Sequence, residues 1–457
     1  MNSELVETIA AISTPIGDGG IAVIRISGPL SRQILADIFI NNDHSPVEFT
    51  SHYLYHGWIK DIKNNRVLDE VMAVFMMSPR SFTGEDIVEI SCHGGKYVTE
   101  EILQLVLSSG AILASKGEFS KRAFLNGKMD LVQIESVIDI IKSRSLPTLL
   151  VSSGNLNKRL SNKIHALRSC LISVLAEIEA NIDFEDDMGG FDTNKFISTI
   201  ENVSRETSLL LSDSNSGIIL NSGIKVAIIG RPNVGKSSLL NSLLRYERAI
   251  VSDYPGTTRD FIEEEANIAG FPISIVDTAG IREPNSDPER LGVESSFKII
   301  DSADIVLLVL DASETLTEID KKLIDDTSSK RRIIVLNKTD MVSQLVDSLS
   351  LGGPIVKTVA SIGSGIGLLE NEIAIMIGSN NINPSDIVYI TRSRHKEALI
   401  SALKYLDNTR KTIAMGLSID LLSIDLKAAI ISLGDICGEN VSEEVLNSIF
   451  DEFCVGK

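Results

Sequence analysis

Three patterns of apolar and polar positions divide the chain. Over residues 1–125, short β-like runs alternate with glycine turns, and residues 21–26 and 87–90 read as strands. From about residue 129 the spacing becomes helical: Leu131, Ile134, Val137, Ile138 and Ile141 share one face. A longer stripe, Leu160, Ile164, Leu167, Leu171, Val174, Leu175 and Ile178, reads as bundle core rather than a cofactor site. Between about 223 and 378, near-continuous apolar runs at 226–229, 273–276, 305–310 and 333–336 alternate with helical stretches. That is the pattern of a parallel sheet covered on both faces. Helices return after residue 383, where Ser442 is a predicted N-cap, with Glu443 and Glu444 in the first turn. Val445, Leu446, Ile449, Phe450 and Phe453 fall on one face of that helix.

The expected architecture is multidomain, α+β and α/β. An N-terminal α/β domain spans 1–125, and a helical bundle domain spans 126–217 and 381–457. A P-loop, Ras-like domain with a mainly parallel sheet is inserted at 218–380.

Composition narrows the class. The 43% apolar fraction supplies more than one core, and no apolar run reaches the roughly 18 residues of a membrane-spanning helix. The opening Met1-Asn2-Ser3-Glu4 has no basic, signal-like character, so a cytoplasmic location is expected. A net charge of −19 argues against broad nucleic-acid binding, because phosphate contacts need concentrated Lys and Arg. A local basic patch, or a partner that carries most of the RNA affinity, stays open. Cys92, Cys170, Cys437 and Cys454 are scattered without a C-x-x-C pair, which suggests neither a zinc site nor a disulfide framework.

The inserted segment carries the chemistry. The strand at 226–229 runs into Gly230-Arg231-Pro232-Asn233-Val234-Gly235-Lys236-Ser237-Ser238, a phosphate loop between strand and helix. Its N–H groups and the helix's positive end suit phosphates. Lys236 suits the β/γ-phosphates and Ser237 suits Mg²⁺. Asp277-Thr278-Ala279-Gly280 follows the next strand, where an Asp can hold Mg²⁺ through water and Gly280 can offer its N–H to the γ-phosphate. Asn337-Lys338-Thr339-Asp340 selects guanine: Asp340 can accept from N1–H and the 2-amino group, and Asn337 can tie the base loop to the phosphate loop. Val359-Ala360-Ser361 stands where a Ser-Ala pair is usual, with the Ala360 N–H free to meet guanine O6. Between the first two motifs lies Ser252-Asp253-Tyr254-Pro255-Gly256-Thr257-Thr258, with Thr258 the natural second Mg²⁺ ligand. The position where Ras-like enzymes place a water-orienting Gln is Ile281. Hydrolysis must then use another group, with Glu283, Asp287 and Glu289 as candidates, or be negligible.

With these residues in view, the chain resembles the MnmE/TrmE family of tRNA-modification GTPases over nearly its whole length. The resemblance rests further on Ile24-Arg25-Ile26-Ser27-Gly28, Ser81-Phe82-Thr83-Gly84-Glu85-Asp86, Cys92-His93-Gly94-Gly95, residues 117–131 and the terminal Phe453-Cys454-Val455-Gly456-Lys457. It implies a potassium-dependent GTPase domain, with Asn233, Ser252, the Tyr254 carbonyl and Thr257 as K⁺ ligands. It also implies Glu289 as the water-positioning residue, Arg282 beside it, and Lys236 on the phosphates. The N-terminal domain would be the homodimer interface and bind formyl- or methylene-tetrahydrofolate through Arg25, Glu89, Lys128 and Lys457. By themselves Arg25 and Glu89 read as strand-edge charges, and Cys454 as an incidental thiol. The resemblance makes Cys454 functional near the folate, as nucleophile, acid or structural thiol. The family reaction modifies C5 of the tRNA wobble uridine together with MnmG (GidA). That partner carries FAD and holds most of the tRNA, and a heterotetramer with it is implied. A ribosome-assembly GTPase would carry basic RNA-binding appendages, which this sequence lacks. A non-hydrolysing scaffold is the reading in which Ile281 marks lost catalysis.

Overall fold

A computed structural model describes residues 7–15, 17–41, 47–183, 193–212, 214–246, 263–268, 271–277, 300, 303–341, 352–377, 388–415 and 419–457. The chain packs into two compact units, one of residues 1–138 with 434–457 and one of residues 139–433.

The first unit is built on β1 (Ile9–Ile12), β2 (Gly19–Ser27), β3 (Phe39–Ile40), β4 (Leu54–Asp61), β5 (Arg66–Met76), β6 (Ile87–Gly94) and β7 (Ile112–Leu113). They form one seven-stranded sheet in the order β3-β4-β5-β6-β2-β1-β7. Pairing is antiparallel except between β1 and β7. Along β5, Val71, Ala73 and Phe75 are buried while the residues between them are not, the period of two that seats one face on a core. Helices Ser31–Ile38 and Lys96–Ser108 supply the facing apolar residues, among them Ile34, Leu35, Ile102 and Val106. Chain from the far end completes this unit. Ser442 caps helix Glu443–Asp451 by accepting from the Val445 N–H, and Ile449, Phe450 and Phe453 pack with Ala123, Leu131, Ile134 and Ile138. Val445 stays exposed. At Gly117, φ is +64° and an added Cβ would lie 2.6 Å from the Phe450 carbonyl, so only glycine admits this helix.

The second unit contains β8 (Ile224–Ile229), β9 (Glu263–Ile268), β10 (Phe271–Asp277), β11 (Ile305–Asp311), β12 (Arg332–Asn337) and β13 (Ile355–Lys357). Their order is β13-β12-β11-β8-β10-β9, parallel throughout except for β9. Alternate residues of the buried strands feed two apolar clusters. Ile228, Leu307, Val309, Ile333 and Val335 face one, and Ala227, Ile229, Leu308, Leu310, Ile334 and Leu336 the other. That two-sided burial explains why the sequence shows continuous apolar runs here instead of alternation. The helical part of the unit includes Leu146–Leu156, Arg159–Asp183, Thr193–Ser212 and Ser393–Ala414. The chain therefore combines an N-terminal domain, a helical domain and a GTPase-like domain with a mostly parallel sheet. Among the described residues, no helix is long and apolar enough to cross a membrane.

Candidate functional site

The phosphate loop leaves β8 and enters helix Lys236–Tyr246. Gly230 lies so close to β11 that an added Cβ would sit 2.5 Å from the Val309 carbonyl. Two further residues turn the loop through left-handed backbone: Asn233 at φ 65° and Gly235 at φ 100°. Asn is among the few side chains that tolerate this region. Val234 is buried and anchors the loop from beneath. The Lys236 ammonium donates to the carbonyls of Gly230 (2.8 Å) and Arg231 (2.9 Å), which holds its charge at the loop. Ser237 and Ser238 stand exposed on the first helical turn.

The segment that the sequence expects to read guanine leaves β12 beside this loop. Asn337 is buried. Its Nδ2 donates to the Val234 carbonyl (2.9 Å), and its Oδ1 accepts from the Ala360 N–H (2.9 Å) and the Thr358 hydroxyl (3.2 Å). One amide thus joins the phosphate loop to the segment 358–361, and it engages the Ala360 N–H that the sequence reading left free for guanine O6. Ser242, on the helix after the phosphate loop, donates to the Ala360 carbonyl (2.6 Å). Lys338, at φ 63°, reaches Asp311 at the end of β11 (2.6 Å). Burial pushes the Asp311 carboxyl up, but Lys338 and Ser313 together hold it below the usual carboxylate range. Asp340 is exposed at the rim, as is Ser361. Val359 is buried, and its N–H donates to the Ser364 carbonyl (3.0 Å), so the apolar residue in place of the usual Ser packs into the loop. The sequence reading missed Asp311, Thr358 and Ser242, which sit at strand and helix positions with no motif of their own.

Asp277 is the last residue of β10 and pairs in register with Ile228 of β8, beside the phosphate loop. Ser252, Asp253, Tyr254, Pro255, Gly256, Thr257, Thr258, Thr278, Ala279, Gly280, Arg282 and Glu289 lie outside the described residues, as do Ile281, Glu283 and Asp287.

A second polar cluster occupies the first unit. Arg25 on β2 and Glu89 on β6 are direct cross-strand partners, with Nε–Oε1 at 2.8 Å and Nη2–Oε1 at 2.7 Å. The guanidinium also lies 5.2 Å from the Phe82 ring and 5.6 Å from the Phe119 ring. Its Nη1 is buried and has no hydrogen-bond partner among the described residues. The terminal tail is held nearby. Val455 bridges to Lys116, and Ser13 donates to the Gly456 carbonyl (2.9 Å). Gly456 has φ +96°, and an added Cβ would lie 2.2 Å from the Ile12 carbonyl. Lys457 is half-buried. Burial first, and then the Arg25 charge, lower its pKa, against the pull of Glu89 and Cys454. The structure thus groups Arg25, Glu89, Lys457 and Cys454. Lys128 lies in a cleft of about 610 Å³ with Gly28, Ser78, Glu85, Asp86 and Asn126, and donates to the Pro79 carbonyl (2.9 Å).

The other cysteines separate by environment. Cys92 is buried, and burial, aided by the Asp69 charge, pushes its thiol up to about 11. His93 beside it pairs with Asp69 (2.7 Å), which raises its pKa. Iodoacetamide at pH 8 is expected to label exposed Cys170 and Cys454 in the folded chain and to spare buried Cys92 and Cys437. Peptide mass mapping checks this, and rapid labelling of Cys92 would contradict its assigned environment.

The model of the MnmE helical domain matches residues 131–454, and that of the GTP-binding protein TrmE N-terminus matches residues 8–128. The tRNA modification GTPase MnmE of Natranaerobius thermophilus is 43% identical over 456 residues, covering 99% of both chains. The protein of the same description from Levilactobacillus brevis is 43% identical over 458 residues, 99% of this chain and 98% of that one. With the phosphate-loop motif joined through Asn337 to the segment 358–361 as described, the chain belongs to the MnmE family and is a GTP hydrolase of tRNA modification.

Proposed function

We propose that GTP hydrolysis by this chain is potassium-dependent. We further propose that the chain acts with the FAD protein MnmG (GidA) to add a carboxymethylaminomethyl or aminomethyl group to C5 of U34 in certain tRNAs. Formyl- or methylene-tetrahydrofolate is the one-carbon donor, and the chain works as a cytoplasmic homodimer. The observation that carries the nucleotide half is the Asn337 amide, which couples phosphate loop to base loop.

In this reading the N–H groups of residues 233–238 cradle the phosphates, and Lys236 moves its ammonium from loop carbonyls to phosphate oxygens. Ser237 and Thr258 would hold Mg²⁺. Asn233, Ser252, the Tyr254 carbonyl and Thr257 would hold K⁺, whose charge stands where other GTPases use an arginine finger. The left-handed backbone of Asn233 carries its exposed side chain on the loop surface, compatible with a ligand there. Glu289 positions the attacking water, a task Ile281 cannot perform, with Arg282 in the same segment. Asp340 reads guanine. Folate binds through Arg25, Glu89, Lys128 and Lys457, with Cys454 beside it. The buried, unpartnered Arg25 Nη1 supports an acceptor-bearing ligand at that place.

The test is GTP turnover in KCl against NaCl at equal ionic strength, for wild type and Glu289→Ala. Stimulation by K⁺ of about tenfold or more, lost in the variant while GTP still binds, is expected. Equal rates in the two salts would remove the K⁺ site assigned to Asn233 and Ser252.

A further inference from the structure

We propose that Arg231 is a positioning residue of the GTPase site, a side-chain latch that fixes the phosphate loop to the segment after β11. The latch has two jaws. The Arg231 guanidinium bonds Glu314 through Nη2, and its Nε lies 3.5 Å from Asp320 Oδ2. Asp320 is almost fully buried, and the same oxygen accepts from the Thr317 N–H (2.9 Å) and hydroxyl (2.7 Å), closing the capping box of helix Glu318–Asp326. That helix start is held by its cap, and among the described residues the buried Arg231 Nε makes an ion pair but no hydrogen bond with the carboxylate there. The Glu314 N–H donates to the Asp311 carbonyl (3.4 Å), which turns the chain just after β11.

The backbone of the same residue does a different task. The Arg231 carbonyl is one of the two acceptors that hold the Lys236 ammonium. A side chain anchored at Glu314 and Asp320 thus fixes the peptide whose carbonyl places the phosphate-binding lysine. Asp311 adds a second link, because it holds Lys338 of the base loop through a 2.6 Å ion pair. The segment 311–320 consequently touches both the phosphate loop and the guanine-reading loop. The arginine's charge is spent on these carboxylates, which distinguishes its role from direct phosphate binding. Glu314 first, with Asp320 and Asp311, favours the guanidinium's charged form and resists deprotonation.

The experiment uses the full chain and a fluorescent GDP. Release is followed by stopped flow, and GTP turnover is measured in the same KCl buffer, for Arg231→Met, Arg231→Glu, Glu314→Gln and the charge-swapped Arg231→Glu/Glu314→Arg pair. Arg231→Met is expected to release GDP about three- to tenfold faster and raise KM by a similar factor, with kcat changed less. Glu314→Gln should show a smaller change in the same direction. Glu314 is half exposed, so folding is expected to survive that change, and thermal unfolding of each variant checks it. The swapped pair should recover at least half of the release effect on a logarithmic scale relative to Arg231→Glu alone. Wild-type release should also quicken with ionic strength more steeply than that of Arg231→Met, because only wild type has the pair to screen. Release and KM unchanged within twofold in both Arg231→Met and Glu314→Gln would overturn the proposal. So would a kcat collapse in Arg231→Met with release unaltered, since that would place the guanidinium on the reacting phosphates.

Discussion

Gly235→Ala is expected to weaken GTP binding by at least about thirtyfold while the chain stays folded. Two independent costs meet at this residue. Its φ of +100° lies where side chains are rarely found, and forcing alanine there costs on the order of 1–3 kcal/mol. The added Cβ would also lie 2.2 Å from Asn337 Nδ2, which must move. That amide has no easy retreat. It is buried, donates to the Val234 carbonyl and accepts from Ala360 and Thr358, so displacement leaves buried polar groups unpaired. Overpacking adds roughly 1–3 kcal/mol. A combined cost of at least about 2 kcal/mol falls on the nucleotide-binding conformation, which converts to about thirtyfold in affinity. Titration of a fluorescent GTP analogue measures it. Gly367→Ala is the control. It stands in helix Ile366–Ile377 with open space around its Cβ position, so binding should be unchanged and stability slightly raised. Unchanged affinity in Gly235→Ala would mean that the Asn337 bridge does not hold the loop in its binding conformation.

The contrast between Gly235 and Asn337 shows which part of the site was legible in sequence. The phosphate loop is a local motif, since strand, turn and helix start follow one another, and the chemistry is written in adjacent residues. Asn337 was readable because it begins a second local motif after a strand. Its bond to Val234 crosses 103 positions and was inferred from the motif's known geometry rather than from spacing. Asp311, Thr358 and Ser242 have no such motif, and only the parallel register of β11, β12 and β13 brings the strand-end residues together. The same limit applies at residues 434–457. Helical periodicity marked an apolar face with Ile449, Phe450 and Phe453, but periodicity is silent about the partner. The left-handed turn at Gly117, under Phe450, is part of what admits that helix to the N-terminal unit. Arg25 and Glu89 looked like ordinary strand-edge charges because each occurs alone in sequence. The antiparallel register of β2 and β6 makes them a pair, and two aromatic rings then desolvate the arginine.

That pair carries the second large effect. Arg25→Met is expected to weaken binding of 5-formyltetrahydrofolate by about tenfold to a hundredfold. Methionine keeps much of the apolar stem between Phe82 and Phe119, so packing is largely retained. What it removes is the cation beside Glu89 and the buried Nη1 donor, which has no partner among the described residues. A hydrogen bond from a charged group contributes about 1.5–3 kcal/mol, which sets the range. Calorimetric titration of the ligand measures it. A second readout follows from Lys457, whose pKa is lowered from 10.5 by burial first and by Arg25 second. A lowered lysine pKa means that the folded chain binds fewer protons than the unfolded chain between the folded value and 10.5. Stability from this group is therefore gained as pH rises through that window and lost as pH falls through the folded value. Removing Arg25 takes away one cause and leaves burial, so the pH dependence of urea unfolding should flatten without vanishing. Glu89→Gln should do the reverse, because it removes a charge that favours protonated Lys457. If Arg25→Met binds the folate as tightly as wild type and the unfolding profile keeps its slope, Arg25 and Lys457 do not share a site, and the folate assignment fails with them.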